Sequence, residues 1–466
     1  MKRYKRIGIL LLALVVVCAV TFAVSRYEEY KEQISVSGQV VLEIPVQSVQ
    51  TLSWEYNDQS FSFQKGEDGW SYDADSAFPV DEGEIEALLS PFEALSAAFI
   101  IEDVEDYGQY GLSDPICTIT LSDGEQTWEI TLGDFSAMDS QRYLSLGDGN
   151  VYLVEDDPVD LYSTQLSGLI LHDALPELRQ VSAITFSGEQ DYSITYEEEG
   201  QNTYRAQDVY FAQLSGGTLP LDTDLVEDYL SAISGLDLED YVTYNATEDE
   251  VAQCGLDEPE LTISVDYTWE DEDGESLSDT LVLHISRDPE QAAGAEDGEE
   301  ENADAITAYA RVGDSQIPYQ ISGEEYLTLM AASSDDLRHR EVIPADLENV
   351  TALDITLEGE TYTLTVQGED DERVFLLGEE EIDSGDLVSA LEGLSADSFT
   401  DEAPTQKEEI SLTLTLDLEG TPTVDVTLYR YDGSTCLAVV DGETVSLVAR
   451  SAVVDLIEAV NAIVLD

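Results

Sequence analysis

The chain has 466 residues, 43% of them hydrophobic, with 18 Lys and Arg against 101 Asp and Glu and a formal net charge of −83. That apolar content is enough to bury cores in roughly two to four domains, which excludes a disordered acidic tail. A surface of this sign repels nucleic acid and favours cations or cationic peptides, but the acids are spread along every segment and solubility alone accounts for them.

The chain opens with the basic residues Lys2, Arg3, Lys5 and Arg6, and residues 7–24 follow without a charge. As a helix such a run rises about 1.5 Å per residue, close to the span of a hydrocarbon core. The basic flank outweighs Arg26, so the expectation is a cytoplasmic tail over residues 1–6, a transmembrane anchor over 7–24, a stalk over 25–46 and the remainder outside the cell membrane. A cleaved signal peptide ending near Thr21 and Ala23 is the rival reading. A lipoprotein signal at Cys18 is weaker, because Val15, Val16 and Val17 precede it where a small residue is wanted. Beyond the anchor, residues 32–466 hold 12 of the Lys and Arg and 99 of the Asp and Glu, a balance of −87.

After the stalk a pattern is written three times. A short β-like stretch begins at Val49, Val181 and Val350, and each leads to a segment with apolar residues at three- and four-residue steps: residues 82–95, 223–236 and 384–394. Then come hairpins with one apolar face. Cys117, Ile119 and Leu121 return as Trp128, Ile130 and Leu132; Leu261, Ile263 and Val265 return as Leu281, Leu283 and Ile285; Ile410, Leu412, Leu414 and Leu416 return as Val424, Val426 and Leu428. A second hairpin with Gly-Asp or Asp-Gly at its bend and a helical ending complete each copy. The expected fold class is therefore α+β: three tandem repeats of an antiparallel β-hairpin and helix unit behind a single N-terminal transmembrane helix. The repeats run over 47–177, 178–346 and 347–466, and the second carries an acidic insert at 291–305 with no apolar periodicity, expected to be disordered.

A helix-to-strand corner recurs as YGLSDP at 110–115 and CGLDEP at 254–259. Thr247 and Glu250 have capping-box spacing, so a short helix starts there and ends at Gly255, free to take positive φ, with Leu256 packing back and Pro259 launching the next strand. Asp103, Gly111, Leu112 and Pro115 are expected to do the same in the first copy. The third copy keeps Pro404 but lacks the Gly-Leu pair.

These features, the N-terminal span, β-start, helix, YGL-x-x-P corner and hairpin with a G-D-G-type bend, resemble the bacterial family known as domain of unknown function 4340. The resemblance covers most of residues 47–343 and is looser beyond. It implies a membrane-tethered envelope protein without an assigned catalytic site, accessory to an ABC permease and ATPase of the export type and a gliding-motility-type auxiliary membrane subunit.

The residues carry no reaction of their own. Gly-Lys is absent, so there is no P-loop, and Gly-x-Ser-x-Gly is absent too. His172, His284 and His339 are isolated in sequence, which speaks against zinc, and His284 is expected on a solvated strand face. Asp271, Asp273 and Gly274 have partial calcium-loop spacing, but Trp269 and Thr280 occupy the end ligand positions. Two N-x-T sequons at Asn245 and Asn349 read as coincidence. Outside the anchor Cys117, Cys254 and Cys436 form an odd set without CxxC, so a disulfide framework is excluded, Cys117 reads as a buried thiol, and one pair or an intermolecular bridge stays open. Catalytic residues, cofactor and metal ligands are all expected to be none. The expected function is a non-enzymatic accessory protein, with an envelope ligand- or cation-binding module as the alternative and a cell-wall hydrolase behind both.

Overall fold

A computed structural model describes residues 38–154, 156–200, 203–271, 274–292, 302–368 and 373–465. The chain divides into two compact units, the first ending at His172 and the second running Asp173–Asp466.

In the first unit nine strands form one antiparallel sheet. Leu52 and Trp54 of the opening strand Thr51–Tyr56 alternate with half-buried or exposed partners and are themselves buried, the two-residue period of a strand with one covered face. This strand pairs on one side with Gln59–Gly66, which pairs in turn with Gly69–Tyr72. On the other side lie Cys117–Ser122, Thr127–Ser136, Gln141–Ser145, Val151–Val154, Leu95–Ile101 and, at the edge, Gln39–Leu42. Helix Glu82–Leu89 covers the core with Ile85, Leu88 and Leu89, and Asp81 caps it by accepting from the amides of Gly83 and Glu84. Trp54 stacks on Phe63 at 5.7 Å and meets Tyr162 edge-on at 5.5 Å. The fully buried Tyr162 donates its hydroxyl to the carbonyl of Leu88 at 2.6 Å, tying the closing helix Val159–Tyr162 to the crossover helix.

The second unit contains two further antiparallel sheets built to the same plan. Opening strand Val181–Gly188 pairs with Tyr192–Tyr196 on one side and Leu261–Glu270 on the other, within an eight-stranded sheet. Opening strand Val350–Leu357 does the same with Glu360–Gln367 and Glu408–Leu416, within a nine-stranded sheet. In each copy a crossover helix, Thr223–Ser234 or Gly385–Glu392, carries the chain over the core to the far edge. There Ala396–Phe399 pairs with the last strand, as Leu95–Ile101 does in the first unit, while the eight-stranded sheet keeps only the bridge Tyr241 to Tyr319. Tyr229 donates to the carbonyl of Leu329 at 2.7 Å, again fastening crossover helix to closing helix Gly323–Met330.

This architecture corrects the expected fold class. The protein is mainly antiparallel β-sheet in three wide sheets, with helices as covers. The outer meanders went unread because segments such as Gln59–Gly66 are mostly polar and bury only Phe61 and Phe63. No helix among the described residues is long and apolar enough to cross a membrane, and the transmembrane helix is withdrawn from the fold class; residues 7–24 lie outside the described residues. Of the acidic insert, residues 293–301 also lie outside them, and the flanks form short turns, Pro289–Ala292 and Ala303–Ala305.

Candidate functional site

The two sequence corners have matching geometry. Gly111 and Gly255 sit at φ +70° and +71°. Leu112 donates its amide to Tyr107 and Leu256 to Val251, both at 3.1 Å, the six-to-one closure of a Schellman turn, and both leucines are buried. A Cβ on Gly111 would stand 2.7 Å from the backbone nitrogen of Asp134, and one on Gly255 2.7 Å from Ser286 Oγ, so each corner presses on a strand of its long hairpin. Pro115 and Pro259 are half-buried at the strand entries. The second corner has the full Thr247 and Glu250 capping box. The first is capped by Asp106, not Asp103, which itself stands at φ +54° ahead of the turn; its short helix Tyr107–Tyr110 starts three residues later than expected.

Partly buried ion pairs back both corners. Arg142, 9% exposed, donates Nε to Asp157 at 2.9 Å and Nη1 to the carbonyl of Gly133, which faces the first corner. Behind the second, Arg287 pairs with Glu260 at 3.2 Å and Tyr326 donates its hydroxyl to the same carboxylate at 2.7 Å. These groups hold the fold; the corner residues assemble nothing that can react.

A cluster of ionisable groups lies elsewhere, inside the second unit where its two sheets are joined by residues 338–346. Val342 donates to Leu394 and Ala396 to Arg340, stitching this joining segment to the third sheet. On the other side His339 Nε2 lies 2.8 Å from Oδ1 of Asp208, a carboxylate 2% exposed whose Oδ2 accepts a hydrogen bond from the Thr203 hydroxyl. His339 Nδ1 lies 3.1 Å from Arg205 Nη1, and 3.3 Å from Asp222, the cap of the crossover helix. Nε2 thus faces a carboxylate, which can only accept, while Nδ1 stands between the Arg205 guanidinium, which can only donate, and the Asp222 carboxylate, which can only accept. Arg205 also donates Nη2 to the carbonyl of Ile343 at 3.2 Å. Both ring nitrogens are thus engaged. A cavity of about 190 Å³ opens beside the cluster, lined by Tyr204, Leu219, Val342, Pro344, Val440 and Asp441 among others. Sequence reasoning missed this cluster because Asp208 lies 131 residues from His339 and no local spacing announces it.

The remaining candidates are inert or structural. Cys117, Cys254 and Cys436 are free and buried. Burial pushes the Cys117 thiol up to about 12 against the opposing pull of Arg142, so its thiolate is suppressed. His284 is half-buried and bonded to Thr262 at 3.1 Å, which corrects its expected solvated face, and burial reinforced by Arg311 pulls its pKa below the usual value. Among the described residues no group of three or more His, Cys, Asp or Glu is placed to hold a metal ion.

Fold and cluster together define an acidic, multi-sheet β protein whose charged core groups serve as internal ties. The family described as Domain of unknown function (DUF4340) matches residues 70–259 and 213–413, and the chain belongs to it. None of the curated proteins matches the chain. A solved structure described as "Ca2+-stabilized adhesin helps an Antarctic bacterium reach out and bind ice" aligns over 90% of this chain and 85% of its own at 9% identity, with a TM-score of 0.09, which carries no argument about fold.

Proposed function

We propose that the chain works by binding and not by catalysis, as an extracytoplasmic accessory component of an ABC-type transport system. The observation that carries this reading is the junction at residues 338–346. Its histidine bridges the buried carboxylate of Asp208 and the Arg205 guanidinium, and the Thr203 hydroxyl is bonded to that same carboxylate, so the polar groups gathered there are engaged in holding the joint. Three linked sheets with a polyanionic exterior supply broad surface for partners. Affinity capture from gently solubilised cells tests it: stoichiometric recovery of an ABC permease or ATPase supports the reading, and recovery of the chain alone, while a control complex is captured, overturns it.

The alternative, a ligand- or cation-binding module, is favoured by the cavity beside His339. A rise in Tm with calcium or a small amine, lost on filling the cavity with Val440→Trp, would support that alternative.

A further inference from the structure

The long hairpin of the eight-stranded sheet outgrows its neighbours. Leu261–Glu270 pairs along its whole length with Ser276–Arg287, from Leu261 with Ile285 out to Glu270 with Ser276. The neighbouring strand on the first side stops at Val181 opposite Tyr267, with one more bond from the Thr268 amide to Gln180. On the second side, strand Ala308–Val312 stops at Val312 opposite Leu283, with Gly313 donating to Val282 as the last contact. Among the described residues, 276–281 therefore have a strand on one side only. The Thr280 amide, with no strand to pair with, turns to the carboxylate of Asp279 at 2.8 Å. The carbonyl of Val282 and the amide of Thr280 thus both face the free side, and by the alternation of a strand so does the amide of Ser278. In the third sheet the comparable position is closed, the Asp425 amide donating to Asp441 Oδ1 at 2.9 Å and the Asp441 amide donating back to the Asp425 carbonyl at 2.8 Å.

The side chains on this projection are unusual for a free edge. Trp269 and Leu277 face each other across the hairpin, 38% and 40% exposed, and Tyr267 stacks on Trp269 at 5.6 Å. Asp279, opposite Tyr267, shares their face, while Asp266 and Glu270 occupy the other. Exposed edges are ordinarily blunted by lysine, proline, bulges or a charge on the covered face; between 276 and 281 there is no lysine, proline or bulge, and Asp279 is the one charge, which repels an acidic strand and admits a basic one. An aromatic face with a carboxylate beside it suits a guanidinium or ammonium group.

We propose that residues 276–281 form a docking edge for an extended basic segment of a partner protein, which adds as a strand while its Lys or Arg side chains lie on Tyr267 and Trp269 and pair with Asp279. Charge selects this occupant. A second copy of the chain would bring the same acidic edge and a formal charge of −83 against its like, whereas a basic strand gains from every neighbouring carboxylate. This deepens the interaction reading above by naming the partner's chemistry, and it is measured with no transporter present, so the two fail separately.

The test is titration of the full chain, in detergent, with fluorescent ten-residue peptides alternating Lys or Arg with Val. The controls are a peptide of equal charge interrupted by prolines and the wild-type peptide pattern with Glu in place of Lys. Binding of the alternating basic peptide is expected, with hydrogen-exchange protection of amides in 276–281. Trp269→Ala or Asp279→Lys should weaken it about tenfold. Ser278→Pro, which removes an outward amide and spares the hairpin's own bonds, should abolish it with unchanged circular dichroism. Equal binding of the proline-interrupted peptide, or insensitivity to all three variants, would mean only diffuse attraction to a polyanion and overturns the proposal. So would dimerisation of the free chain that Ser278→Pro abolishes.

Discussion

Replacing Gly111 by alanine perturbs the first corner in a way the structure quantifies. Two costs apply: the left-handed backbone at φ +70°, about 1–2 kcal/mol for any residue with a Cβ, and the approach of that Cβ to 2.7 Å from the Asp134 nitrogen. The second partner is main chain, at the bulge between Leu132 and Phe135, and has no side-chain rotation by which to give way, so overpacking adds about 1–3 kcal/mol. Gly147 lies in the same unit at φ +74° with nothing within 4 Å, so Gly147→Ala carries the first cost alone. Urea unfolding reads the difference well, because Trp54, Trp70 and Trp128 all belong to the first unit and report it by fluorescence. Gly111→Ala should lose about 2–5 kcal/mol and Gly147→Ala about 1–2 kcal/mol. Equal losses would refute the claim that the corner is pressed against the hairpin.

Other outcomes follow from the same geometry. Gly255→Ala should cost less than Gly111→Ala, since its close neighbour is the rotatable Ser286 hydroxyl, a comparison readable by circular dichroism of the second unit's transition. Asp208→Asn and His339→Ala should each cost about 1–3 kcal/mol, and the double variant clearly less than their sum, because both break one bond of a shared network; additivity within about 0.5 kcal/mol would show that the two are not coupled. The Cys117 thiol is raised on folding, so its contribution is full below the unfolded value near 9 and is lost as pH rises towards about 12. Wild type should therefore lose stability across that range more steeply than Cys117→Ala, and a parallel pH dependence of the two would count against it. Thr247→Ala should remove the cap of the second corner at a cost of about 1 kcal/mol, measured by urea midpoint.

How far the sequence could be read is clearest at particular residues. Positive φ at Gly111 and Gly255 and the Thr247 capping box are local matters, set by adjacent residues, and they are visible in a string of letters. The alternation of Ile410, Leu412, Leu414 and Leu416 is equally local. The outer meander strands escaped because a strand such as Tyr210–Leu214 buries three successive residues and presents no alternation. The Asp208 and His339 contact escaped because it exists only after two sheets are joined, and Asp103 misled because a capping residue and a left-handed aspartate look alike in sequence. Residues 276–281 read as ordinary hairpin; that their edge is open depends on where the adjacent strand stops.

Partner capture in cells tests the binding account most directly, and the composition dictates its chemistry. Beyond residue 31 the only lysines are Lys65 and Lys407, so amine-to-amine reagents have little to hold, whereas a carbodiimide joins the abundant carboxylates to a partner's lysines. Treated intact cells, followed by capture through a C-terminal tag and mass spectrometry, should yield an ABC permease or ATPase in stoichiometric amounts, with crosslinks leaving from Asp and Glu of this chain. Recovery of the chain uncrosslinked, under conditions that fix a known envelope complex, would contradict the accessory role and turn the search to small ligands of the cavity beside His339.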